Sequence, residues 1–395
     1  QKQHSGILAQ SNAEASFSES VLCVSLNETN RIDHAHIPGH GMKARQRMAL
    51  YPRSASVGIS VFLTLLFAAV FQVSAQIMPL LDPKIPPYQV VSNLAGTLSV
   101  AGSDTMKPLM DSWSAKLRQL YPGLTIKVES NGSETGVAAL LEERVQIAVM
   151  SRRMTQQEIV EFKREFGYEP TEIPVAVDAL AVFVHKDNPI EGLTLAEVDA
   201  IFSKERRRGL EYPVRMWGEA MVLEEEWAEA PIQIYGRNGN SGAASFFREH
   251  VLIGADFKKA MTVGVGSASV VMELMRDRFG IGFCSIGYQT SQVQPVPLAA
   301  VKGGRYVAPT FETVINGSYP LRRNLYLYIN RSPKVAPPGP VFEIVKFALS
   351  QHGQKIVVNQ GYYPLPTMEL NRLTTMWATP VRTAATEGPL AKVRD

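Results

Sequence analysis

Four stretches of this chain place small hydroxyl residues, glycine and arginine where a strand-like run gives way to a helix-like one. They are Gly102-Ser103-Asp104-Thr105, Asn131-Gly132-Ser133-Glu134-Thr135-Gly136, Ser151-Arg152-Arg153 and Arg237-Asn238-Gly239-Asn240-Ser241-Gly242. The chemistry such turns support is capture rather than bond making. A helix start presents free backbone N–H groups at the positive end of the helix dipole, where an anion is stabilised. Serine and threonine add hydroxyl donors, and arginine adds a permanent charge with a planar fork of donors. The candidate ligand-binding residues are therefore Ser103, Thr105, Ser133, Ser151, Arg152, Arg237, Ser241 and Gly242. No catalytic residue, metal ligand or cofactor is expected. Each turn taken singly has an ordinary explanation, because serine and threonine before a helix commonly cap it and arginines commonly pair with surface carboxylates. The four together predict convergence on one small oxyanion.

The elements that must position these turns follow from periodicity. Leu98 and Val100 alternate into the first turn, and Met106, Leu109, Met110, Trp113, Leu117 and Leu120 follow at helical spacing until Tyr121-Pro122-Gly123. Leu124, Ile126 and Val128 alternate into the second turn, and Ile147 to Met150 run into the third. Thr155 with Glu158 and Thr194 with Glu197 have capping-box spacing, and the first of these helices should end near Gly167. Ile173 to His185 read as a strand pair interrupted by Asp178. The strand Pro231 to Tyr235 feeds the fourth turn, and helices are expected over 243–252, 256–261, 269–279 and 341–350, with 353–358 continuing the helical pattern. Leu325 to Ile329 form a dense apolar strand. Strands alternating with helices predict an α/β fold with a parallel-rich sheet, in which ligands bind at the carboxyl ends of the strands.

The chain has 395 residues, 45% apolar and 19% charged, with a net charge of +3. Much of the basicity lies in a leader, so no nucleic-acid surface is expected; Arg206-Arg207-Arg208 belongs on a solvated loop or helix end. Met42 to Arg47 with Arg53, the apolar run Val57 to Phe71 and Val73-Ser74-Ala75 read as a signal peptide over 42–75 with a mature start at Gln76. An uncleaved anchor is the alternative, although the apolar run is shorter than the roughly 20 residues of a spanning helix. Residues 1–41 precede the leader and are assigned no role. Cleavage removes Cys23 and leaves Cys284 alone among apolar neighbours, a buried structural thiol with no disulfide partner. The expected compartment is the periplasm.

In order and spacing, the four turns together with Gly317-Ser318-Tyr319-Pro320-Leu321 and Ser350-Gln351-His352-Gly353-Gln354 resemble the phosphate-binding proteins of bacterial ABC phosphate transporters, over Thr97 to Pro366. The resemblance implies a type II periplasmic binding protein: two α/β lobes joined by two crossing strands, with the ligand in the interlobe cleft. Lobe I would comprise 97–180 plus 295–366 and lobe II 181–294, with 367–395 a flexible tail. It implies a monomer that binds inorganic phosphate and delivers it to ABC permease subunits. Thr105, Ser133, Arg237, Ser241 and Gly242 match the family's phosphate-contacting places, and Ser103 is adjacent. Two positions depart from the pattern. Where many relatives carry an aspartate after the serine of the third turn, this chain has Arg152, and where a threonine commonly follows Ser-Gly it has Ala243. A carboxylate accepts a hydrogen bond from protonated phosphate and repels sulfate, so selectivity would need another acceptor, Asp178 or Glu134.

The rival reading is a secreted phosphatase or other hydrolase. Neither Gly-x-Ser-x-Gly nor His-Glu-x-x-His occurs, and His185, His250 and His352 are far apart in sequence. No Walker A sequence is present. A binding protein for another oxyanion such as sulfate, and a sensing or adhesive protein on the same fold, remain further alternatives. Asp178 reads as structural, and Trp217 and Trp227 as packing residues.

Overall fold

The computed structural model describes residues 81–378 apart from 334. The signal-peptide reading of 42–75, the segment 1–41, Cys23 and residues 379–395 lie outside the described residues.

The first strand, β1 (Gly96–Gly102), buries Leu98 and Val100. The helix that follows, α1 (Lys107–Leu120), turns Leu109, Met110, Trp113 and Leu117 inward on one face, the i, i+3, i+4 stripe that drives an amphipathic helix onto a sheet. Next come β2 (Leu124–Glu129), α2 (Ser133–Leu141), β3 (Ile147–Met150) and α3 (Gln156–Phe166). Helix α3 opens on the expected Thr155/Glu158 capping box and closes on Gly167 in the left-handed conformation, φ 80°. Strands β2, β1 and β3 are parallel neighbours.

The next strand, β4 (Thr171–His185), is one continuous 15-residue strand rather than a pair broken at Asp178. It is buried on both faces from Ile173 onward, which is why its sequence reads as an unbroken apolar run; Asp178 is accommodated because its charge is paired. Its first part joins the half-sheet of β1–β3 through a later strand, and Leu180 to Val184 pair antiparallel with a second half-sheet. That second half begins with β5 (Leu193–Thr194) and α4 (Leu195–Phe202), which starts on the Thr194/Glu197 capping box. The single-turn helix α5 (Glu225–Ala228) follows. Then β6 (Gln233–Arg237), α6 (Gly242–His250), β7 (Thr262–Gly264), α7 (Ser267–Leu274) and β8 (Gly280–Ser285) complete a parallel set, with β6 between β7 and β8. Trp217 and Trp227 are buried edge to face, with ring centroids 6.3 Å apart. Residues 256–261 form no helix; Phe257 makes an isolated bridge to Ser203.

Strand β9 (Val293–Pro295) pairs with the end of β4, and β10 (Leu298–Ala299) pairs with β5. β10 and β5 form a two-stranded sheet of their own, apart from the main sheet. The chain returns through the short helix α8 (Phe311–Ile315) to β11 (Arg322–Ile329), which inserts antiparallel between β3 and β4. Helices α9 (Gly339–Leu349) and α10 (Gln351–Asn359) are separated at Ser350, whose hydroxyl accepts the Gly353 N–H.

The C-terminal end of the described chain departs from expectation. Residues 367–378, expected as flexible tail, form α11 (Thr367–Ala378), because Leu370, Leu373 and Trp377 sit on one face and are buried. Ahead of β1, the buried Ile85 and Tyr88 strap the segment 81–91 to the first half: the Tyr88 hydroxyl donates to Glu343 at 2.6 Å and lies 2.6 Å from the Tyr121 hydroxyl.

Candidate anion-binding site

Strands β1, β2, β3 and β6 each deliver one of the four turns at their carboxyl ends, and the fold brings the turns together. The Ser103 hydroxyl donates to the Ser151 hydroxyl at 3.0 Å, and the Ser133 hydroxyl accepts the Ser151 N–H at 3.2 Å. Across from them sits the start of α6. A Cβ on Gly242 would lie 2.2 Å from Ser133 Oγ and 2.5 Å from Ser151 Oγ. A Cβ on Gly132, whose φ is 111°, would lie 2.3 Å from the Asn240 carbonyl oxygen. Glycine is required at both places so that the turns can approach at backbone distance.

The charge at the centre is Arg237, 2% exposed at the end of β6. Its Nη1 lies 2.8 Å from Asp104 Oδ2 and donates to the Ser267 hydroxyl at 2.8 Å, and Nη2 makes only a long 3.5 Å bond to the Val265 carbonyl. Nε is buried and has no partner, as are Thr105 Oγ1 and Asp104 Oδ1. Buried polar groups are nearly always paired, so these unpartnered atoms stand out as groups that a bound ligand would satisfy. Nε and Nη2 share one edge of the guanidinium, the geometry that grips two oxygens of an oxyanion at once.

Of the predicted residues, Ser103, Ser133, Ser151 and Gly242 touch one another across this cluster, and Thr105 and Arg237 contribute its unpaired donors. Ser103 makes no capping bond. Ser241 does cap α6, accepting the Ala243 N–H at 3.2 Å, while its hydroxyl hydrogen remains to donate. Arg152 is the exception. Its guanidinium forks onto Glu158, with both bonds at 2.7 Å, and also donates to the Arg153 carbonyl. Burial pushes the Glu158 carboxyl up, but the bonds from Arg152 and Thr155 hold it below its ordinary value. Arg152 thus braces the capping box of α3, and its side chain is not a member of the anion cluster.

Three participants were not singled out from sequence. Asp104 pairs with Arg237; Ser267, after β7, bonds both; and the Tyr288 hydroxyl, after β8, donates to the Asp104 carbonyl at 2.9 Å. The strand-turn-helix pattern that exposed the other turns also precedes Ser267, but β7 has only three residues and too little alternation to register. Asp178 is structural, as expected: Oδ1 accepts the Ser285 hydroxyl at 2.6 Å, Oδ2 accepts Arg323 Nε at 2.9 Å, and the carboxylate also accepts a backbone bond from Ile286. Burial raises its carboxyl above the ordinary value, against the pull of Arg323. Arg323 in turn donates to the Gly242 carbonyl at 3.4 Å, tying β11 to the start of α6. Cys284 is buried, and burial pushes its thiol well up. Among the described residues, no group of three His, Cys, Asp or Glu side chains is placed to hold a metal ion, and no helix is long and apolar enough to cross a membrane.

The model of the PBP superfamily domain matches residues 90–342. The phosphate-binding protein PstS of Pseudomonas aeruginosa is 43% identical over 303 residues, covering 76% of this chain and 93% of that protein. Protein SphX of Synechococcus elongatus is 29% identical, covering 71% and 81%. A Clostridium perfringens substrate-binding protein solved with bound phosphate aligns with TM-score 0.57 at 24% identity, over 69% of this chain and 100% of that one. An ABC-type phosphate transport receptor from Vibrio cholerae aligns with TM-score 0.53 at 20% identity, over 68% and 100%. These two likenesses concern the fold. With the superfamily match and the 43% identity, the chain belongs to the family of PstS phosphate-binding proteins, non-catalytic solute-binding proteins of the PBP superfamily.

Proposed function

We propose that this protein captures inorganic phosphate between its two half-sheets and delivers it to the permease of an ABC phosphate importer. Thr105, Ser133, Arg237, Ser241 and Gly242 hold the anion, with Ser103 and Ser151 completing the ring of hydroxyls. The two halves act as lobes hinged on β4. Phosphate touches turns from both, so it stabilises the closed arrangement by its differential affinity for it. The protein works as a monomer in the periplasm, exported by the leader at 42–75. The observation that carries this reading is that Thr105 Oγ1 and Arg237 Nε, on two of the four turns, are buried and have no partner.

Calorimetric titration of the purified protein with phosphate, arsenate and sulfate tests it, alongside a turnover assay with a phosphate ester. Saturable phosphate binding at one site with no ester turnover is expected. Absence of phosphate binding, or steady ester hydrolysis well beyond one equivalent, would overturn it.

A further inference from the structure

The arginine run Arg206-Arg207-Arg208 takes no part in the anion cluster, and the fold divides its members. Arg207 and Arg208 reach the end of α6, donating to the carbonyls of Ile253 at 2.9 Å and Val251 at 2.6 Å. Cations there satisfy carbonyls that a helix C-terminus leaves free. Arg206 instead lines a separate cavity of about 410 Å³ beside the amino end of β6, together with Lys204, Arg215 and Lys258. Its backbone is left-handed, φ 53°, an uncommon state for a residue with a side chain, and its N–H is fixed by the Ser203 hydroxyl at 2.9 Å. Its Nη1 donates to the Lys204 carbonyl at 2.8 Å, while its Nε is buried with no partner. No carboxylate lines this cavity among the described residues, and its floor is apolar, with Ile201, Val214 and Ile234 buried there. The positive charge is thus gathered without matching acids. Burial first, then Arg215 and Arg206, push the Lys258 amine down to about 8, against the weaker pull of Glu219 and Asp199.

We propose that this cavity is a second binding site, whose ligand is an amphiphilic anion of the medium-chain carboxylate class. The head sits among Arg206, Arg215, Lys204 and Lys258, where the free Arg206 Nε gains an acceptor and the crowded cations gain a counter-charge. The apolar body covers Ile201, Val214 and Ile234, surface that a bare inorganic ion would leave wet. The site is independent of the phosphate reading. All of its lining lies between Ile201 and Ala260, and it flanks the opposite end of β6 from Arg237, roughly 10 to 15 Å along the strand. Filling it therefore neither needs nor blocks closure around an anion in the cluster of turns.

Calorimetry with decanoate below its micelle-forming concentration tests the assignment, with decanol supplying the body without the charge and acetate the charge without the body. Phosphate is present at a slight excess over the protein. One decanoate should bind per chain, with decanol and acetate each at least about tenfold weaker. Arg206→Asn removes the charge with a residue that tolerates the left-handed backbone; it should weaken decanoate at least about tenfold and leave phosphate affinity unchanged, which also reports that the protein is folded. Arg215→Gln, at an exposed cation, should weaken decanoate by a smaller factor. The proposal is overturned if decanoate shows no saturable binding, if decanol or acetate binds as tightly, if Arg206→Asn binds decanoate as the unaltered protein does, or if decanoate displaces phosphate. Sedimentation with phosphatidylglycerol vesicles is the remaining arm: vesicle binding that Arg206→Asn abolishes, without binding of free decanoate, would make this face a membrane surface and overturn the proposal as well.

Discussion

Gly242→Ala tests how closely the two sides of the cleft must approach. The added methyl would sit 2.2 Å from Ser133 Oγ, 2.5 Å from Ser151 Oγ and 3.0 Å from Ser133 Cβ. Two of these three contacts are far inside van der Waals distance, and Ser133 cannot turn aside freely because its hydroxyl accepts the Ser151 N–H. The closed arrangement must either give up that buried bond or separate by about an ångström, which together with overpacking costs about 2 to 5 kcal/mol. If phosphate binds only the closed arrangement, its affinity should fall roughly 30- to 4000-fold. The fold should not suffer, because the clash is between the two halves and is relieved when they part. Gly242 opens α6, and alanine there favours the helix by up to about 1 kcal/mol. The assay is calorimetry with phosphate, paired with thermal melting in its presence and absence. The expected pattern is an unliganded melting temperature equal to or slightly above that of the unaltered protein, with the phosphate-induced rise lost. A Gly242→Ala protein that binds phosphate within about twofold of the original would refute the reasoning, since a turn that tolerates the methyl cannot lie against a closed anion site.

Arg237→Ala should weaken phosphate by well over tenfold, because it removes the buried cation and leaves Asp104 facing the anion alone; calorimetry reads this directly. Arg152→Ala should leave phosphate affinity nearly unchanged but lower the melting temperature, since it strips Glu158 of its partner beneath α3, a loss of about 1 to 3 kcal/mol. Asp178→Ala should destabilise the protein more, by about 3 to 5 kcal/mol, through the orphaned Arg323, measured by chemical denaturation. Lys258 gives a pH signature. Burial, followed by the nearby Arg215 and Arg206, pushes its amine down to about 8. The unfolded chain, with an ordinary lysine, holds more protons between that value and its own, so stability should rise with pH across that window. Lys258→Met should abolish this rise in denaturation series at graded pH.

The strand-turn-helix units of the first half were legible because each strand alternates, each helix has an apolar stripe, and the turns between carry residues with few other uses. Thr155 and Thr194 announced their helices through a two-residue code that depends on nothing distant. What could not be read locally was partnership. Arg152 and Arg237 look alike in sequence, yet one meets Glu158 six residues on and the other meets Asp104 in the turn after β1, and only the folded sheet decides these partners. Asp104 sat within a quoted motif but was passed over, because its role depends on Arg237, 133 positions away. The helix 367–378 was missed for a related reason: Leu370, Leu373 and Trp377 are too few to signal a helix until the surface they cover is known.

The placement of β11 also bears on when the protein can fold. This strand lies between β3 and β4, although the chain makes both of those more than 130 residues before it. Until residues 322–329 arrive, β3 and β4 present open edges, and the long hydrophobic β4 has no partner for its first half. Such pairings between distant segments form slowly, and unpaired edges invite association with other chains. Residues 81–321 alone therefore lack the strand that joins β3 to β4.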